Sequence, residues 1–255
     1  MVPKLIFIVP YRDRAQHKHF FTIYMKHILE DYNSNDYEIY FSHQCDTRPF
    51  NRGAMKNIGF LVMKNKYPND YKNITFVFHD VDTLPYKKNL LPYKTIPGVI
   101  KHFYGFKFAL GGIFSIRGGD FESINGFPNL WGWSQEDNLI QDRALSNGLK
   151  IDRSVFFPIQ SSSILQLVDG FMRKINRSEL KEAVNKNYPY GLNTITNLDT
   201  TVENEYINVS KFTCERPVNQ DVYDIHDIRA GPIRLNTYMK TNSPFNMTSI
   251  MRRQK

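Results

Sequence analysis

The sequence is poor in cysteine and has no long apolar run, and each shortage argues against a class of protein. Its 255 residues include only two cysteines, Cys45 and Cys214, and neither belongs to a Cys-x-x-Cys pair. A structural zinc site therefore has no support, and two free thiols are expected rather than a disulfide. No stretch approaches the roughly 20 apolar residues of a membrane span, and no signal peptide precedes the first apolar segment. The expected protein is soluble and stays on the cytoplasmic side.

Positive charge exceeds negative charge, with 33 Lys and Arg residues against 25 Asp and Glu, for a formal net charge of +8. Such a balance favours anionic partners, namely nucleotide diphosphates, acidic glycans or nucleic acid. The charge is scattered and no nucleic-acid-binding motif is present, so nucleic acid is not expected as a partner.

Apolar patterning in the first third of the chain predicts alternating strands and helices. Continuous apolar runs are typical of buried parallel strands, and apolar residues at helical intervals indicate the helices between them. The alternation predicts an α/β fold with a nucleotide-binding sheet. The predicted elements are a strand at Lys4–Val9, a helix within His17–Asp31, a strand at Tyr37–Phe41, a helix at Arg52–Lys66 capped by Asn51, and a strand at Ile74–Phe78.

The third of these strands is followed at once by Asp80 and Asp82, and Pro85 is expected to block further sheet pairing. Two carboxylates at the carboxyl end of a buried strand lie where open α/β sheets bind ligands. Their oxygens suit Mg²⁺ or Mn²⁺ bridging a diphosphate. For an isolated Asp-x-Asp a solvated turn would be the better interpretation, but the rest of the chain favours a site.

Arginine residues follow the first strand, in Pro10-Tyr-Arg-Asp-Arg14, and a planar guanidinium suits a phosphate or a uracil carbonyl. A surface turn explains this segment equally well. Asn51 and Arg52 lie at the amino end of a predicted helix, which is a second place to hold a nucleotide.

The second half of the chain is less regular. Lys87–His102 is predicted to be an irregular crossing segment, and Gly111-Gly112 precedes a strand that ends at Ile116. The paired glycines either let the backbone approach a sugar or shape a bulge. Asp120 is predicted to cap a short helix. Weaker patterns indicate a strand at Val155–Pro158 and a helix at Ser178–Asn187.

Both tryptophans, Trp131 and Trp133, flank Gly132 in one loop, which we interpret as a movable lid that stacks on a sugar. The helix that follows runs from Glu136 to Asn147 and begins with two acids. Acids at this end of a helix can simply favour its dipole, and this remains the structural alternative to a catalytic role for Glu136 and Asp137.

Taken together, these segments resemble the β-1,4-galactosyltransferase family. The order and approximate spacing of the motifs agree over about residues 4–195, and His79 before the acid pair is most similar to the branch that galactosylates xylose. The matching motifs are Val9-Pro-Tyr-Arg-Asp-Arg14, Phe50-Asn-Arg52, Phe78-His-Asp-Val-Asp82, Gly111-Gly112, Asn125-Gly-Phe-Pro-Asn-Leu-Trp-Gly-Trp-Ser-Gln-Glu-Asp137 and Gly191-Leu-Asn193.

The resemblance implies a single GT-A domain over residues 1–255, with a mostly parallel central sheet. Roughly, residues 1–85 would bind the nucleotide, 86–195 would hold the acceptor and the catalytic groups, and 196–255 would cover them. The implied activity is an inverting transfer of a sugar, galactose or an N-acetylhexosamine, from a UDP donor to a carbohydrate hydroxyl of a glycan or glycoconjugate.

The resemblance also implies a role for particular residues. Asp137 would be the general base and Asp82 would ligate Mn²⁺. The donor would contact Pro10, Tyr11, Arg12, Arg14, Phe50, Asn51, Arg52, Asp80, Val81 and Trp133. The acceptor would contact Ser134, Gln135, Glu136 and Asp137.

Three departures from the family pattern bear on function. Members of the family carry a metal-binding histidine where this chain has Ser163–Asp169, so the Mn²⁺ site is expected to be weak, completed differently or unused. The alternative function is accordingly a non-catalytic UDP-sugar- or glycan-binding module that has lost its metal site. Ser134, Gln135 and Asn138 differ from the family residues and leave the acceptor open. Ala109 and Leu110 stand where galactose-selecting members carry a tyrosine, which leaves room for an N-acetylated sugar.

Overall fold

The computed structural model describes residues 1–168, 170–184, 188–218, 223–231 and 233. Helices α1 to α5 span Ala15–Ile28, Arg52–Lys66, Gly118–Ser123, Glu136–Ser146 and Arg177–Val184. Strands β1 to β7 span Leu5–Tyr11, Tyr37–Gln44, Thr75–His79, Thr83–Pro85, Val99–Gly105, Ile113–Arg117 and Lys150–Asp152. Strands β8 to β13 span Phe157–Pro158, Ile164–Gln166, Met172–Asn176, Thr196–Glu203, Tyr206–Thr213 and Tyr223–Asp227.

A central sheet organises the molecule, with strands in the order β11-β12-β2-β1-β3-β6-β5-β7 and β8 beside β5. Strands β12, β2, β1 and β3 run parallel to one another, and β7 and β8 run parallel to β5. Strand β6 is antiparallel to both β3 and β5, and β11 is antiparallel to β12. The mostly parallel sheet of the predicted α/β fold is confirmed.

The sheet is covered on both faces, which explains the unbroken apolar run of β1. Successive side chains of a strand point to opposite faces. Ile6 and Ile8 belong to the core cluster that also contains apolar residues of α2, whereas Phe7 and Val9 belong to the cluster that contains Phe21 of α1. All seven residues of β1 are buried, as expected for a parallel strand between helical layers.

Parallel strands place their carboxyl ends at one edge of a sheet. The segments after β1, β2 and β3 therefore meet at the same edge, and α2 begins there. Asn51 caps α2 as predicted, because its side-chain oxygen accepts a hydrogen bond from the Ala54 amide at 2.9 Å. The cap fixes where the first turn of α2 stands relative to the acids that follow β3.

Three local predictions were wrong. Pro85 does not end sheet pairing, because Thr83–Pro85 pairs antiparallel with Ile164–Gln166 in a separate two-stranded sheet. The prediction of an irregular segment at Lys87–His102 was wrong only at its end, because Val99 begins β5. Asp120 lies inside α3 rather than at its cap, and its carboxylate instead accepts a hydrogen bond from the Gly98 amide at 2.8 Å.

The later elements agree more loosely with the sequence patterns. The helix predicted from Glu136 is present as α4, and the strand predicted at Val155–Pro158 is reduced to Phe157–Pro158. The predicted helix at Ser178–Asn187 is present as Arg177–Val184, and residues 185–187 lie outside the described ranges. Among the described residues, none of the helices has both the length and the apolarity that a bilayer crossing requires.

Candidate active site

Arg52, in the first turn of α2, holds together acids from two distant parts of the chain. Its Nε donates to Glu136 Oε1 at 2.8 Å, and its Nη2 donates to Asp137 Oδ2 at 3.1 Å. Its Nη1 lies 3.7 Å from Asp80 Oδ2. The fold thus brings the end of β3 and the first turn of α4 to one point, and four of the predicted site residues lie there.

Lys56 completes this cluster and was missed from the sequence. It lies one helical turn after Arg52, and its Nζ is 3.4 Å from Asp80 Oδ1 and 3.7 Å from Asp137 Oδ1. Its side chain is only 1% exposed. The available signal was the spacing, because residues four apart on a helix share a face and Lys56 interrupts the apolar pattern of α2.

The environment of the cluster shifts the pKa values of Glu136, Asp80 and Arg52. Three carboxylates face two cations, and the Glu136 side chain is 3% exposed. Burial raises the pKa of Glu136, although Arg52 acts in the opposite direction. Burial also opposes ionisation of Asp80, but Lys56 and Arg52 outweigh it and lower that pKa. Burial disfavours the charge on Arg52, yet the surrounding acids raise its pKa well above the usual value.

The Gly111-Gly112 pair lies between the two groups of acids. An added Cβ on Gly111 would approach Asp137 Oδ2 to 2.5 Å. The Asp80 amide donates to the Gly112 carbonyl at 3.1 Å, and the Leu110 amide donates to the Asp137 carbonyl at 2.7 Å. The backbone between β5 and β6 therefore contacts both the donor-side acid and the predicted base.

Asp82 lies next to β9, since its carbonyl accepts a hydrogen bond from the Leu167 amide at 2.7 Å. Tyr104 is close to both acids of the motif. Burial raises the pKa of Tyr104 to about 12, and the charges of Asp82 and Asp80 add to this effect. The Tyr104 hydroxyl donates to Gln166 Oε1 at 2.8 Å. Residues 163–168 carry no histidine.

The side chains around Asp82 can be compared with those that bind divalent cations in proteins. Among the described residues, no three His, Cys, Asp or Glu side chains lie close enough to hold a metal ion by themselves. Asp80 is paired with Lys56 and Arg52, and Asp82 is the carboxylate that the sequence predicts for a metal. Mg²⁺ is usually bound by one or two carboxylates together with substrate phosphates. These residues therefore fit an ion that is shared with a diphosphate.

The other predicted donor residues divide into two groups. The Arg12 guanidinium lies 5.4 Å from the centre of the Phe50 ring and donates to the Arg48 carbonyl. Arg14 is half-buried at the amino end of α1. Pro10, Tyr11, Asn51 and Val81 are instead buried in the protein. Besides capping α2, the Asn51 side chain donates to the Asn129 carbonyl at 3.1 Å.

The two tryptophans have different environments, and the prediction that both form a lid was wrong for Trp131. Its side chain is 0% exposed, and its ring stacks on Phe212 with 5.5 Å between ring centres. The Arg48 guanidinium covers the Trp131 ring at 4.7 Å. Trp133 is half-buried, and its ring is nearly parallel to that of His226 at 6.5 Å. Only Trp133 can offer a ring to a ligand.

Ser134 and Gln135 link Trp133 to α4, and both are half-buried. Gln135 is the N-cap residue of α4 but makes no side-chain cap. In the described part of the chain, Ser134 Oγ is buried without a hydrogen-bond partner. A buried hydroxyl of this kind is available to a ligand that enters beside Trp133.

Comparison with known proteins gives two matches to family models. Residues 2–93 match the N-terminal region of glycosyl transferase group 7, and residues 99–162 match the N-terminal domain of galactosyltransferase. The acid pair lies in the first match and Asp137 lies in the second.

Curated relatives match along part of their length. The chain is 34% identical over 159 residues to Beta-1,4-galactosyltransferase 1 of Mus musculus, which covers 59% of this chain and 39% of the relative. It is 30% identical over 194 residues to Xylosylprotein 4-beta-galactosyltransferase of Caenorhabditis elegans, covering 72% of this chain and 64% of the relative. The chain thus spans about two fifths of the mouse protein.

Solved structures of the catalytic domain of Drosophila β1,4-galactosyltransferase 7 have the same fold. A complex with xylobiose aligns with a TM-score of 0.63 and 22% identity, covering 86% of this chain and 97% of that one. A mutant in complex with manganese, UDP-Gal and xylobiose aligns with a TM-score of 0.61.

Proposed function

Since this chain belongs to the β-1,4-galactosyltransferase family of glycosyl transferase group 7, we propose that it transfers a hexose from a UDP-sugar to a carbohydrate hydroxyl, with inversion. One observation carries the proposal. Asp137 stands beside Asp80, the acid that precedes Asp82, and Arg52 and Lys56 contact both Asp80 and Asp137. An inverting transferase needs a base on the acceptor side and a diphosphate site on the donor side of one cleft.

Asp137 acts as the general base in this proposal. The acceptor oxygen attacks the anomeric carbon while its proton passes to the Asp137 carboxylate, and the bond from that carbon to the UDP oxygen breaks with its electrons. Arg52 orients Asp137 through the 3.1 Å hydrogen bond. Glu136 is buried against the same guanidinium and orients the acceptor beside Ser134 and Gln135.

The donor is held at the carboxyl edge of the sheet. Arg12 against Phe50, together with Arg14, provides cations for the uridine and phosphate side. The buried residues Pro10, Tyr11, Asn51 and Val81 contribute shape rather than charge, and Trp133 offers a ring to the sugar.

Asp82 would hold Mn²⁺ from the protein side, and a Drosophila relative is solved with manganese and UDP-Gal. When bound, such an ion neutralises the charge that develops on the departing UDP. Gln166, whose side-chain oxygen accepts a hydrogen bond from Tyr104, the tyrosine close to Asp82, would offer a neutral oxygen.

The donor sugar is galactose or an N-acetylhexosamine. The relative solved with UDP-Gal and xylobiose supports galactose and a glycan acceptor. The small Ala109 and the fully buried Leu110 before Gly111 support a roomier pocket.

A UDP-release assay tests the proposal. The protein is incubated with UDP-galactose, UDP-N-acetylgalactosamine, UDP-N-acetylglucosamine and UDP-glucose, with and without Mn²⁺, using xylosides and N-acetylglucosaminides as acceptors. Acceptor-dependent release, and a product of inverted anomeric configuration by NMR, are expected for at least one pair. UDP binding without release from any pair would instead favour the non-catalytic binding module.

A further inference from the structure

The Lys56 ammonium group has no role in the transfer described so far, yet its side chain is only 1% exposed. Burying an ammonium is costly unless it is paired. Its carboxylate partners are Asp80 and Asp137, at 3.4 Å and 3.7 Å. Its third neighbour is the Phe127 ring, whose centre is 4.7 Å away. The group is therefore directed at the site rather than at the core.

The oxygen atoms that face Lys56 are not satisfied by other groups. Asp80 Oδ1 and Asp137 Oδ1 are both buried and have no hydrogen-bond partner in the described structure. These are the atoms nearest to Lys56 Nζ in the two ion pairs. The separations exceed those of good charge-assisted hydrogen bonds, and such contacts often shorten when a substrate binds.

Arg52 and Lys56 contact different sets of the three acids. Arg52 makes its shortest contacts with Glu136 and Asp137 and approaches Asp80 only at 3.7 Å. Lys56 contacts Asp80 and Asp137 and, among the described residues, forms no ion pair with Glu136. Both cations therefore contact the donor-side acid and the base, but Lys56 pairs with these two acids without Glu136.

We propose that Lys56 is a positioning residue, which fixes the carboxylate of Asp137 relative to the donor-side Asp80 and so sets where the acceptor proton is received. The inference rests on the proposed function, because it assigns to Lys56 an action through the base. Three carboxylates against two cations leave one excess negative charge, which disappears when Asp137 takes the proton. Without Lys56 the excess would be larger, and the carboxylates would repel one another out of place.

The test is a double-mutant cycle on folded protein, with Lys56→Met, Asp137→Asn and the double variant, and with Lys64→Met as a matched control. Lys64 is on the same helix and pairs with Glu122 outside the site. Lys56→Met is expected to lower kcat at least about 10-fold, since small displacements of reacting groups cost up to 10²-fold. UDP affinity should change less than about 3-fold, because Arg52 still faces Asp80.

In the Asp137→Asn background, Lys56→Met should cause no further loss of kcat, because a residue that acts through the base has nothing left to position. Losses that multiply, or a folded Lys56→Met protein with the kcat of Lys64→Met, would overturn the inference. If Lys56→Met does not fold, Lys56→Gln removes the charge while keeping a polar group, and the same outcomes apply. Full activity of Asp137→Asn would instead overturn the proposed function itself.

Discussion

Adjacent glycines, Gly111 and Gly112, are constrained for different reasons, and this contrast tests the site at the scale of a residue. A Cβ on Gly111 would meet the Asp137 carboxylate, whereas a Cβ on Gly112 would lie 2.4 Å from the Tyr104 carbonyl. Gly112 also has a φ of +67°, where other residues are strained. One glycine makes room for the predicted base and the other for the backbone.

Gly111→Ala should therefore lower kcat by as much as about 10²-fold while leaving the midpoint of urea unfolding almost unchanged, because the base moves and the backbone does not. Gly112→Ala should lower the free energy of unfolding by about 1–3 kcal/mol. Steady-state kinetics and urea titration of both variants provide the measurement. Equal losses of stability would show that the two positions are not distinct.

Asp82 is the residue on which the proposed metal dependence rests. Asp82→Asn should abolish the increase in UDP affinity that Mn²⁺ produces, because the neutral amide is a poor ligand for a hard cation. Isothermal calorimetry with UDP, in Mn²⁺ and in EDTA, measures this directly. An unchanged Mn²⁺ effect in the variant would assign the ion to other groups.

At the scale of elements, the segment from Asn129 to Gln135 is held by hydrogen bonds to several other parts of the chain. The Gly132 amide donates to the Phe50 carbonyl at 2.9 Å, and the Trp133 amide donates to the Lys174 carbonyl at 2.7 Å. The Trp131 amide donates to Glu179 Oε2 at 2.7 Å. This segment thus connects the start of α2 with β10 and α5, and it presents Trp133 and α4 to the site.

Gly132→Ala should loosen this segment. An added Cβ would lie 2.6 Å from the Lys174 carbonyl at a φ of +75°. Gly148→Ala is the matched control, since Gly148 has a φ of +76° and no neighbour within 4 Å. The control should lose only about 1 kcal/mol from backbone strain, and Gly132→Ala should lose more and raise the acceptor KM. Equal effects of the two variants would mean that the contact with β10 is unimportant.

The elements also show what a sequence can predict. Strands β1 to β3 and helices α1 and α2 follow from apolar patterns that are local and strong. Strand β4 was not predicted, because its pairing partner β9 lies about eighty residues further along the chain and leaves no local pattern. Trp131 was misassigned because a glycine beside it suggested mobility, whereas Phe212, far along the chain, provides its stacking partner. The acids of the site were found from their motifs, but Lys56 was not, since its partners are defined only by the fold.

At the scale of the whole molecule, buried histidines make stability depend on pH. Burial and the nearby charge of Arg153 lower the pKa of His102 to about 4. Arg153 donates to His102 Nδ1, so Nε2 carries the proton towards the Tyr104 and Gly111 carbonyls. The neutral ring is thus hydrogen-bonded to the backbone of residues next to the site.

His102 should lower the free energy of unfolding at acid pH. In the unfolded chain its ring binds a proton near pH 6.5, whereas in the folded chain it does so only near pH 4. The contribution of the neutral ring is complete above pH 6.5 and is lost as the pH falls through this interval. The difference in unfolding free energy between wild type and His102→Asn should shrink by up to about 3 kcal/mol from pH 6.5 to 4. Urea titrations across that range measure it, and a constant difference would contradict it.

The measurement that tests the central claim most directly is turnover by Asp137→Asn, with UDP affinity measured on the same protein. Removing a positioned base should lower acceptor-dependent UDP release by at least about 10²-fold, while UDP binds as tightly as to the wild type. Release at the wild-type rate would contradict the assignment of Asp137, and with it the account of this cluster as the centre of a sugar transfer.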